Sequence, residues 1–243
     1  MKAMIFAAGL GTRLKPLTDT MPKAMVPIAG KPLLEHVIVK LIAAGFDEII
    51  INIHHFPDQI IDFLKENNNF GIRIEISDET DELLETGGGI KKASRFFDDG
   101  KPFLVHNVDI LSDVDLKDLY NNHIETEADA TLLVSERESS RYLFFDYKNR
   151  LQGWMNDKTG ETKSPFIDFH PGEYDKRAFA GIHIISPSIF EYFQEWEEKF
   201  SIIDFYLSMA GKVNIHSYSL ENLQIIDVGK LHSLKEAEKF LRK

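Results

Sequence analysis

The chain contains no cysteine among its 243 residues. Disulfide bonds, thiolate metal sites and cysteine nucleophiles are therefore excluded. The sequence also lacks a run of about 18 consecutive apolar residues, so we expect neither a membrane span nor a membrane partner. The N-terminus, MKAMIFAAGLGTRLKP, has only a short apolar stretch before a segment that contains glycine and arginine. This pattern argues against a signal peptide, and we expect a cytoplasmic location.

Positive charge is scarce. Lysine and arginine together number 28 against 39 aspartates and glutamates, which gives a formal net charge of −11. Binding of a nucleic-acid backbone requires clustered lysine and arginine, so nucleic acid is not an expected partner. The first 40 residues are an exception, because their only acidic residues are Asp19 and Glu35. The basic residues there are Lys2, Arg13, Lys15, Lys23, Lys31 and Lys40. We expect an anionic ligand to bind in this part of the chain.

The first half of the chain alternates short apolar runs with helical patterns, as βα units of a parallel sheet do. The predicted strands are Lys2–Ala7, Glu48–Ile53, Ile72–Ile76 and Phe103–Asn107, and the predicted helices are Leu33–Ala44 and Pro57–Asn67. The later strand-like segments are separated by polar turns and indicate an added lobe. They are Ala130–Ser135, Leu143–Tyr147, Leu151–Trp154 and Ala178–Ile185. Helices are predicted at Pro187–Lys199, Ile202–Ala210 and Leu234–Leu241. These patterns predict one α/β domain over residues 1–243.

A glycine-containing loop follows the first predicted strand, where an α/β sheet places its ligand crevice. Ala8, Gly9, Gly11 and Thr12 lead into Arg13, so backbone N–H groups and a guanidinium are available to phosphate oxygens. The loop has neither the dinucleotide fingerprint nor the Gly-Lys-Ser/Thr ending of a P-loop. An ordinary βα turn with an exposed Arg13 is the alternative interpretation. A long segment punctuated by proline and glycine follows and contains Lys23.

Two aspartates each follow a short apolar run. Asp109 ends the segment FLVHNVD, and Asp227 lies within IIDVG. Carboxylates brought together from distant segments can bind one Mg²⁺, whose remaining ligands are water and phosphate. Each aspartate could equally serve a turn or a helix cap, and their residue type alone does not decide between these possibilities.

The segments AAGLGTRLKPLT and PKAMVPIAGKPLLE, between Ala7 and Glu35, resemble those of the sugar-phosphate nucleotidyltransferases. Within that family the chain is most similar to N-acetylmuramate-1-phosphate uridylyltransferases and mannose-1-phosphate guanylyltransferases. The resemblance implies a Rossmann-like, mostly parallel sheet flanked by helices, with a small antiparallel lobe. It further implies a nucleotide-binding half over residues 1–125 and a sugar-binding half over residues 126–243.

The same resemblance implies roles for particular residues. Asp109 and Asp227 would bind Mg²⁺, and Arg13 and Lys23 would act with Asp109 in catalysis. Gly87 and Gly88 would lie near the base, while Asn107 and Gly181 would contact the substrate. Two positions depart from the family pattern: Val108 replaces the glycine of Asn-Gly-Asp, and Lys230 replaces the threonine of Asp-x-Gly-Thr.

The implied reaction joins a nucleoside triphosphate, with UTP preferred, to a sugar 1-phosphate such as N-acetylmuramate 1-phosphate, and releases pyrophosphate. A GTP-dependent guanylyltransferase acting on mannose or heptose 1-phosphate is the alternative enzyme. A catalytically inactive subunit that binds a nucleotide sugar is the alternative outside enzymes. We expect a monomer or a small homo-oligomer.

Overall fold

The computed structural model describes residues 1–242. Its first strands are β1 (Lys2–Phe6), β2 (Pro27–Ile28), β3 (Lys31–Pro32), β4 (Glu48–Ile53), β5 (Arg73–Asp78), β6 (Phe103–Asn107) and β7 (Ile110–Ser112). The later strands are β8 (Ala130–Ser135), β9 (Arg141–Phe145), β10 (Leu151–Asn156), β11 (Thr162–Lys163), β12 (Asp175–Ile185), β13 (Ile215–Tyr218) and β14 (Ile225–Asp227). The helices are α1 (Leu33–Ala43), α2 (Pro57–Glu66), α3 (Glu85–Ala93), α4 (Leu116–Glu125), α5 (Phe190–Phe193), α6 (Ile202–Met209) and α7 (Ser233–Leu241).

The central sheet has the strand order β5-β4-β1-β6-β12-β8-β13. Only β12 runs antiparallel to the other strands along this path. The prediction of a Rossmann-like, mostly parallel sheet is thereby confirmed. Because parallel strands end at the same edge of a sheet, β1, β4, β5 and β6 all direct their carboxyl ends toward one crevice.

Hydrophobic cores lie on both faces of the sheet, which explains why the parallel strands are almost continuously apolar. Successive side chains of a strand point to opposite faces. Ile5 accordingly packs in one core with Leu41 of α1, whereas its neighbour Met4 packs in the other with Ile90 of α3 and Phe205 of α6.

The predicted antiparallel lobe is an extension of β12. The first residues of this strand, Asp175–Arg177, pair with β9, and the ladder continues through β10 to β11. β7 and β14 form a separate antiparallel two-stranded sheet that brings Asp227 opposite Ile110. This sheet joins two segments that are more than a hundred residues apart in sequence.

One local prediction was wrong. The helix predicted over Pro187–Lys199 is only a 3-10 turn followed by α5, because Trp196 and Phe200 leave the helical path to pack against Phe205. The glycines at 87–89 lie inside α3. At the start of α7, the hydroxyl of Ser233 donates to the carbonyl of Lys230 at 2.7 Å. Within residues 1–242, no helix combines the length and the apolar character that crossing a bilayer requires.

Candidate functional site

The glycine loop leaves β1 at Phe6 and ends in a 3-10 turn, Thr12–Leu14. The carbonyl of Gly11 accepts hydrogen bonds from the backbone N–H of Leu14 and from the hydroxyl of Thr18, both at 2.8 Å. Gly9 and Thr12 are exposed, whereas Ala8 is buried. The loop is therefore fixed at Gly11 while its tip remains open to a ligand.

Lys23 and Asp109 form an ion pair between the ammonium and the carboxylate. Lys23 opens a 3-10 turn in the proline-rich segment, and Asp109 follows β6. Their side chains are only 11% and 15% exposed. In this partly desolvated position the pair is screened less than a surface ion pair. The structure thus brings together two predicted catalytic residues that lie far apart in sequence.

The two aspartate motifs also meet. The backbone N–H of Val228 donates to the carbonyl of Asp109 at 2.8 Å. Oδ1 of Asp227 accepts from the N–H of Gly229 at 2.8 Å. Among residues 1–242, no lysine, arginine or histidine forms an ion pair with Asp227. Asp227 therefore forms no direct ion pair with another side chain in this range.

Arg13, in the glycine loop, lies next to the segment that follows β14. Gly229 lies against it so closely that a Cβ added there would be 2.7 Å from Nη2 of Arg13 and 2.6 Å from Oδ1 of Asp227. Arg13 is exposed and, in the described part of the chain, forms no ion pair or hydrogen bond. Its guanidinium is therefore available to an anion next to the aspartates. Lys230, which follows Gly229, is exposed.

The donor set fits a magnesium ion. Asp109 and Asp227 offer hard carboxylate oxygens, the ligands that Mg²⁺ prefers. No group of three or more histidine, aspartate or glutamate side chains able to hold a metal is found in residues 1–242. Two protein carboxylates would leave the other positions of an octahedron to phosphate and water, as is usual for Mg²⁺ at substrate phosphates.

A cavity of about 230 Å³ opens beside these residues. Its walls include Ala8 and Gly9 of the glycine loop, Lys23 and Asp109 of the ion pair, and Asn107. Leu83, Glu85 and Thr86, at the start of α3, also line it. The glycine loop, the Lys23–Asp109 pair and the start of α3 therefore share one cavity.

Gly87 and Gly88 were predicted to lie near the base. Their backbone N–H groups both donate to the carbonyl of Phe200, at 2.8 and 3.3 Å, and both residues are buried. These two donors are already engaged within the protein. The neighbouring Glu85 and Thr86, which sequence analysis did not select, are the residues that line the cavity.

A larger cavity, of about 550 Å³, adjoins the first and shares Glu85 with it. It is bounded mainly by the antiparallel lobe, including Arg141, Tyr142, Trp154 and Lys163. Sequence analysis did not select any of these four residues as site residues. What they share is a position on the strands of the lobe, and only the pairing of these strands brings them to one cavity.

The predicted substrate residues Asn107 and Gly181 are neighbours. A Cβ added at Gly181 would lie 2.6 Å from Nδ2 of Asn107. Gly181 belongs to β12, two residues from Phe179, which lines the larger cavity. Asn107 lines the smaller one, so this pair lies between the two cavities.

One acidic residue near the site is buried. Glu79 is one of four acidic residues among positions 78–82, yet it is only 1% exposed. It hydrogen-bonds the amide of Asn52, and Asn52 in turn accepts from the N–H groups of Ala7 and Ala8. A buried hydrogen-bond network of Glu79 and Asn52 therefore holds the backbone of the glycine loop at Ala7 and Ala8.

Residues 2–243 match the family model described as nucleotidyl transferase. The chain belongs to this family. Its mannose-1-phosphate guanyltransferase relative from Yarrowia lipolytica is 32% identical over 95% of the chain and 61% of the relative. An N-acetylmuramate alpha-1-phosphate uridylyltransferase from Neisseria meningitidis is 48% identical over 47% of the chain and 49% of that relative. The matched regions thus span less than two thirds of these relatives' lengths.

Solved structures agree with this family assignment. HddC from Yersinia pseudotuberculosis, crystallised with GMP-PN, superimposes with a TM-score of 0.77 at 25% identity and covers 99% of both chains. A UDP-glucose pyrophosphorylase complexed with UDP-glucose gives a TM-score of 0.78 at 20% identity, covering 99% of this chain and 98% of the other. The second likeness supports the fold alone.

Proposed function

We propose that this member of the nucleotidyl transferase family joins a nucleoside triphosphate to a sugar 1-phosphate and releases pyrophosphate. The observation that carries the proposal is the convergence of Arg13, Lys23, Asp109 and Asp227 on one crevice at the carboxyl edge of the sheet. Such a set of charges suits a reaction between two polyanions, whose mutual repulsion must be overcome.

The reaction requires no protein nucleophile. An oxygen of the sugar 1-phosphate, already ionised at neutral pH, attacks the α-phosphorus of the triphosphate in line with the leaving group. A new P–O bond forms as the bond between the α-phosphorus and its bridging oxygen breaks, and the electron pair leaves with pyrophosphate. The protein contributes alignment and neutralisation of negative charge.

Each charged residue has a place in this scheme. Arg13 holds the departing phosphates, because its exposed guanidinium can donate two parallel hydrogen bonds. Lys23 lies in the wall of the cavity beside Gly9 and neutralises the α-phosphate. Asp109 and Asp227 would hold Mg²⁺, which supplies further neutralisation of the phosphate oxygens.

The two cavities suggest where each substrate binds. The smaller one contains the glycine loop and belongs to residues 6–109, which supports its assignment to the nucleotide. The larger one lies mostly within residues 139–204 and is assigned to the sugar. Asn107 and Gly181 would contact the sugar phosphate between them.

We favour UTP and N-acetylmuramate 1-phosphate as the two substrates. The support is the higher identity, 46% and 48%, of two relatives named N-acetylmuramate alpha-1-phosphate uridylyltransferase. A second candidate is GTP with mannose or heptose 1-phosphate. It is supported by the guanyltransferase match over 95% of the chain and by the likeness to HddC solved with GMP-PN.

The test is pyrophosphate release by the purified chain. UTP, GTP, ATP, CTP and dTTP are each combined with the 1-phosphates of N-acetylmuramate, mannose, heptose and glucose, with Mg²⁺ or with EDTA. Release with UTP and N-acetylmuramate 1-phosphate that EDTA abolishes is the expected result. Release with GTP and mannose or heptose 1-phosphate would instead identify the second candidate. Nucleotide-sugar binding without release from any pair would support the inactive subunit.

A further inference from the structure

We infer that Asn52 and Glu79 form a positioning pair that sets the width of the nucleotide cavity by joining its two walls. Neither residue is assigned a role by the proposed reaction, although the inference rests on that proposed function for its kinetic consequences. The pair connects the glycine loop, which lines the cavity at Ala8 and Gly9, to the segment at 83–86, which lines the same cavity.

The pair stands where three neighbouring strands end. Asn52 is the penultimate residue of β4 and is in register with Phe6 of β1 on one side and Ser77 of β5 on the other. Glu79 directly follows β5, and its N–H donates to the carbonyl of Ile53 at 2.8 Å. Asn52 therefore lies on the sheet itself, and Glu79, in the first position of the following loop, is joined to the sheet edge by this backbone bond.

Asn52 holds the first wall. Its Oδ1 accepts from the backbone N–H of Ala7 at 2.7 Å and of Ala8 at 3.3 Å. Its Nδ2 donates to Oε1 of Glu79 at 2.8 Å. The orientation of the amide is fixed, because only the oxygen can face two N–H donors and only the nitrogen can face a carboxylate acceptor.

Glu79 holds the second wall. Its Oε2 accepts from the backbone N–H of Leu84 at 3.1 Å, at the turn that leads into α3. Both of its oxygens are thus acceptors, as in an ionised carboxylate. Gly89 of α3 packs on the same group, and a Cβ there would lie 2.9 Å from Oε1. Asn52 is 2% and Glu79 1% exposed, so water cannot easily replace a lost partner.

The chain of bonds therefore runs from Ala7 and Ala8 through Asn52 and Glu79 to Leu84, and every group along it is satisfied. Ala8 and Asn52 line the cavity themselves, and Leu83 and Glu85 flank the far attachment point. A change in the Asn52–Glu79 bond must move one wall relative to the other. Such a movement alters nucleotide binding before it alters the chemistry at Asp109.

The pair permits a test in which its polarity is reversed. In Glu79→Gln, the single amide oxygen cannot accept from both Asn52 and Leu84, so one donor faces another. In Asn52→Asp, a carboxylate faces the carboxylate of Glu79. In the double variant Asn52→Asp/Glu79→Gln, the carboxylate introduced on β4 accepts from Ala7 and Ala8 and from the new amide, whose oxygen accepts from Leu84. All bonds and the total charge are restored.

For each single variant we expect an increase of about tenfold in the KM for the nucleoside triphosphate and in the Kd of that nucleotide measured by calorimetry. The KM for the sugar 1-phosphate and the kcat should change less than about threefold. The double variant should return both constants to within about threefold of the parent. Single variants with the parent's KM and Kd, or a double variant no better than the singles, would overturn the inference. Asp81→Asn removes an exposed charge from the same loop and is the matched control.

Two further measurements keep the test decisive. If a single variant does not fold, Gly89→Ala places a Cβ 2.9 Å from both Oε1 of Glu79 and the ring of Phe6. It should raise the same Kd, and an unchanged Kd would contradict the inference. Calorimetry with UTP and GTP alone does not depend on turnover. A parent protein that binds a nucleotide but releases no pyrophosphate would disprove the proposed reaction, and the polarity reversal could still be scored by Kd.

Discussion

The backbone N–H of Val228 donates to the carbonyl of Asp109 at 2.8 Å, and this bond joins the two aspartate motifs of the crevice. It involves main-chain atoms, so neither side chain is consumed in making it. The carboxylate of Asp109 pairs with Lys23, while that of Asp227 has no cationic partner among residues 1–242. The pairing of β7 with β14 therefore places Asp227 opposite Ile110, the residue next to Asp109.

Replacing either aspartate by asparagine should abolish turnover. Asp109→Asn and Asp227→Asn each remove a negative charge that Mg²⁺ would require, and we expect pyrophosphate release to fall at least about a hundredfold. The backbone bond from Val228 is retained in both variants, so the melting temperature of Asp227→Asn should change little. Asp109→Asn also loses the ion pair with Lys23, and we expect its melting temperature to be lower. Asp118→Asn, on the exposed face of α4, is the control. Full metal-dependent activity in the Asp109 variant would refute the metal assignment.

Gly229→Ala should impair activity by displacement alone. The added Cβ would come within 2.7 Å of Nη2 of Arg13 and 2.6 Å of Oδ1 of Asp227, closer than real Cβ atoms approach. Arg13 or Asp227 must move, and we expect kcat/KM to fall about tenfold to a hundredfold. Gly172→Ala provides the comparison, because a Cβ there has no neighbour within 4 Å. Equal activity of the two variants would show that the contact at Gly229 has no catalytic importance.

Arg13→Lys should be almost as damaging as Arg13→Ala. Lysine keeps the charge but cannot donate two parallel hydrogen bonds to a phosphate. We expect kcat/KM to fall by about tenfold to a hundredfold for lysine, with a larger loss for alanine. Lys15→Ala, which removes an exposed cation paired with Asp19 in the same loop, controls for general electrostatics. A fully active lysine variant would indicate that Arg13 acts only as a point charge.

The sequence predicted best those features that depend on local patterns. The strands Glu48–Ile53, Phe103–Asn107 and Ala130–Ser135 were predicted at their observed bounds, because each is a short apolar run between turns. Arg13 and Lys23 were selected because they are cations in and after the glycine loop, and because the family resemblance implies roles for both. The approach of Asp109 to Asp227 was an expectation from family resemblance. In the structure, Asp109 directly precedes β7, and Asp227 lies on β14, which pairs with β7.

The features that were missed depend on tertiary contacts. Glu79 looks like one of four acids in five residues, and only the donors from Asn52 and Leu84 explain its burial. Gly87 and Gly88 resemble a flexible turn, but they lie in α3 because Phe200 approaches from a segment more than a hundred residues away. Local patterns of charge or hydropathy do not predict hydrogen-bond partners that come from distant segments of the chain.

Stability should fall steeply as the pH decreases from 7 to 5. Burial lowers the pKa of His106 and His123 to about 4 and that of His183 to about 3, from an ordinary value of 6.5. Between about pH 6.5 and 4 the unfolded chain therefore binds protons that the folded chain does not. Each of these histidines then contributes a slope of up to about 1.4 kcal/mol in the free energy of unfolding per pH unit, with stability lost on acidification.

Urea unfolding at about pH 7, 6 and 5 measures this slope. His123→Gln removes one titrating group while offering the amide to its partners Thr131 and Ser186. The free energy of unfolding of this variant should therefore decline less steeply, by up to about 1.4 kcal/mol per pH unit. The same substitution at exposed His232 is the control. If the slope of His123→Gln matched that of the parent, buried neutral His123 would not be a source of the acid sensitivity.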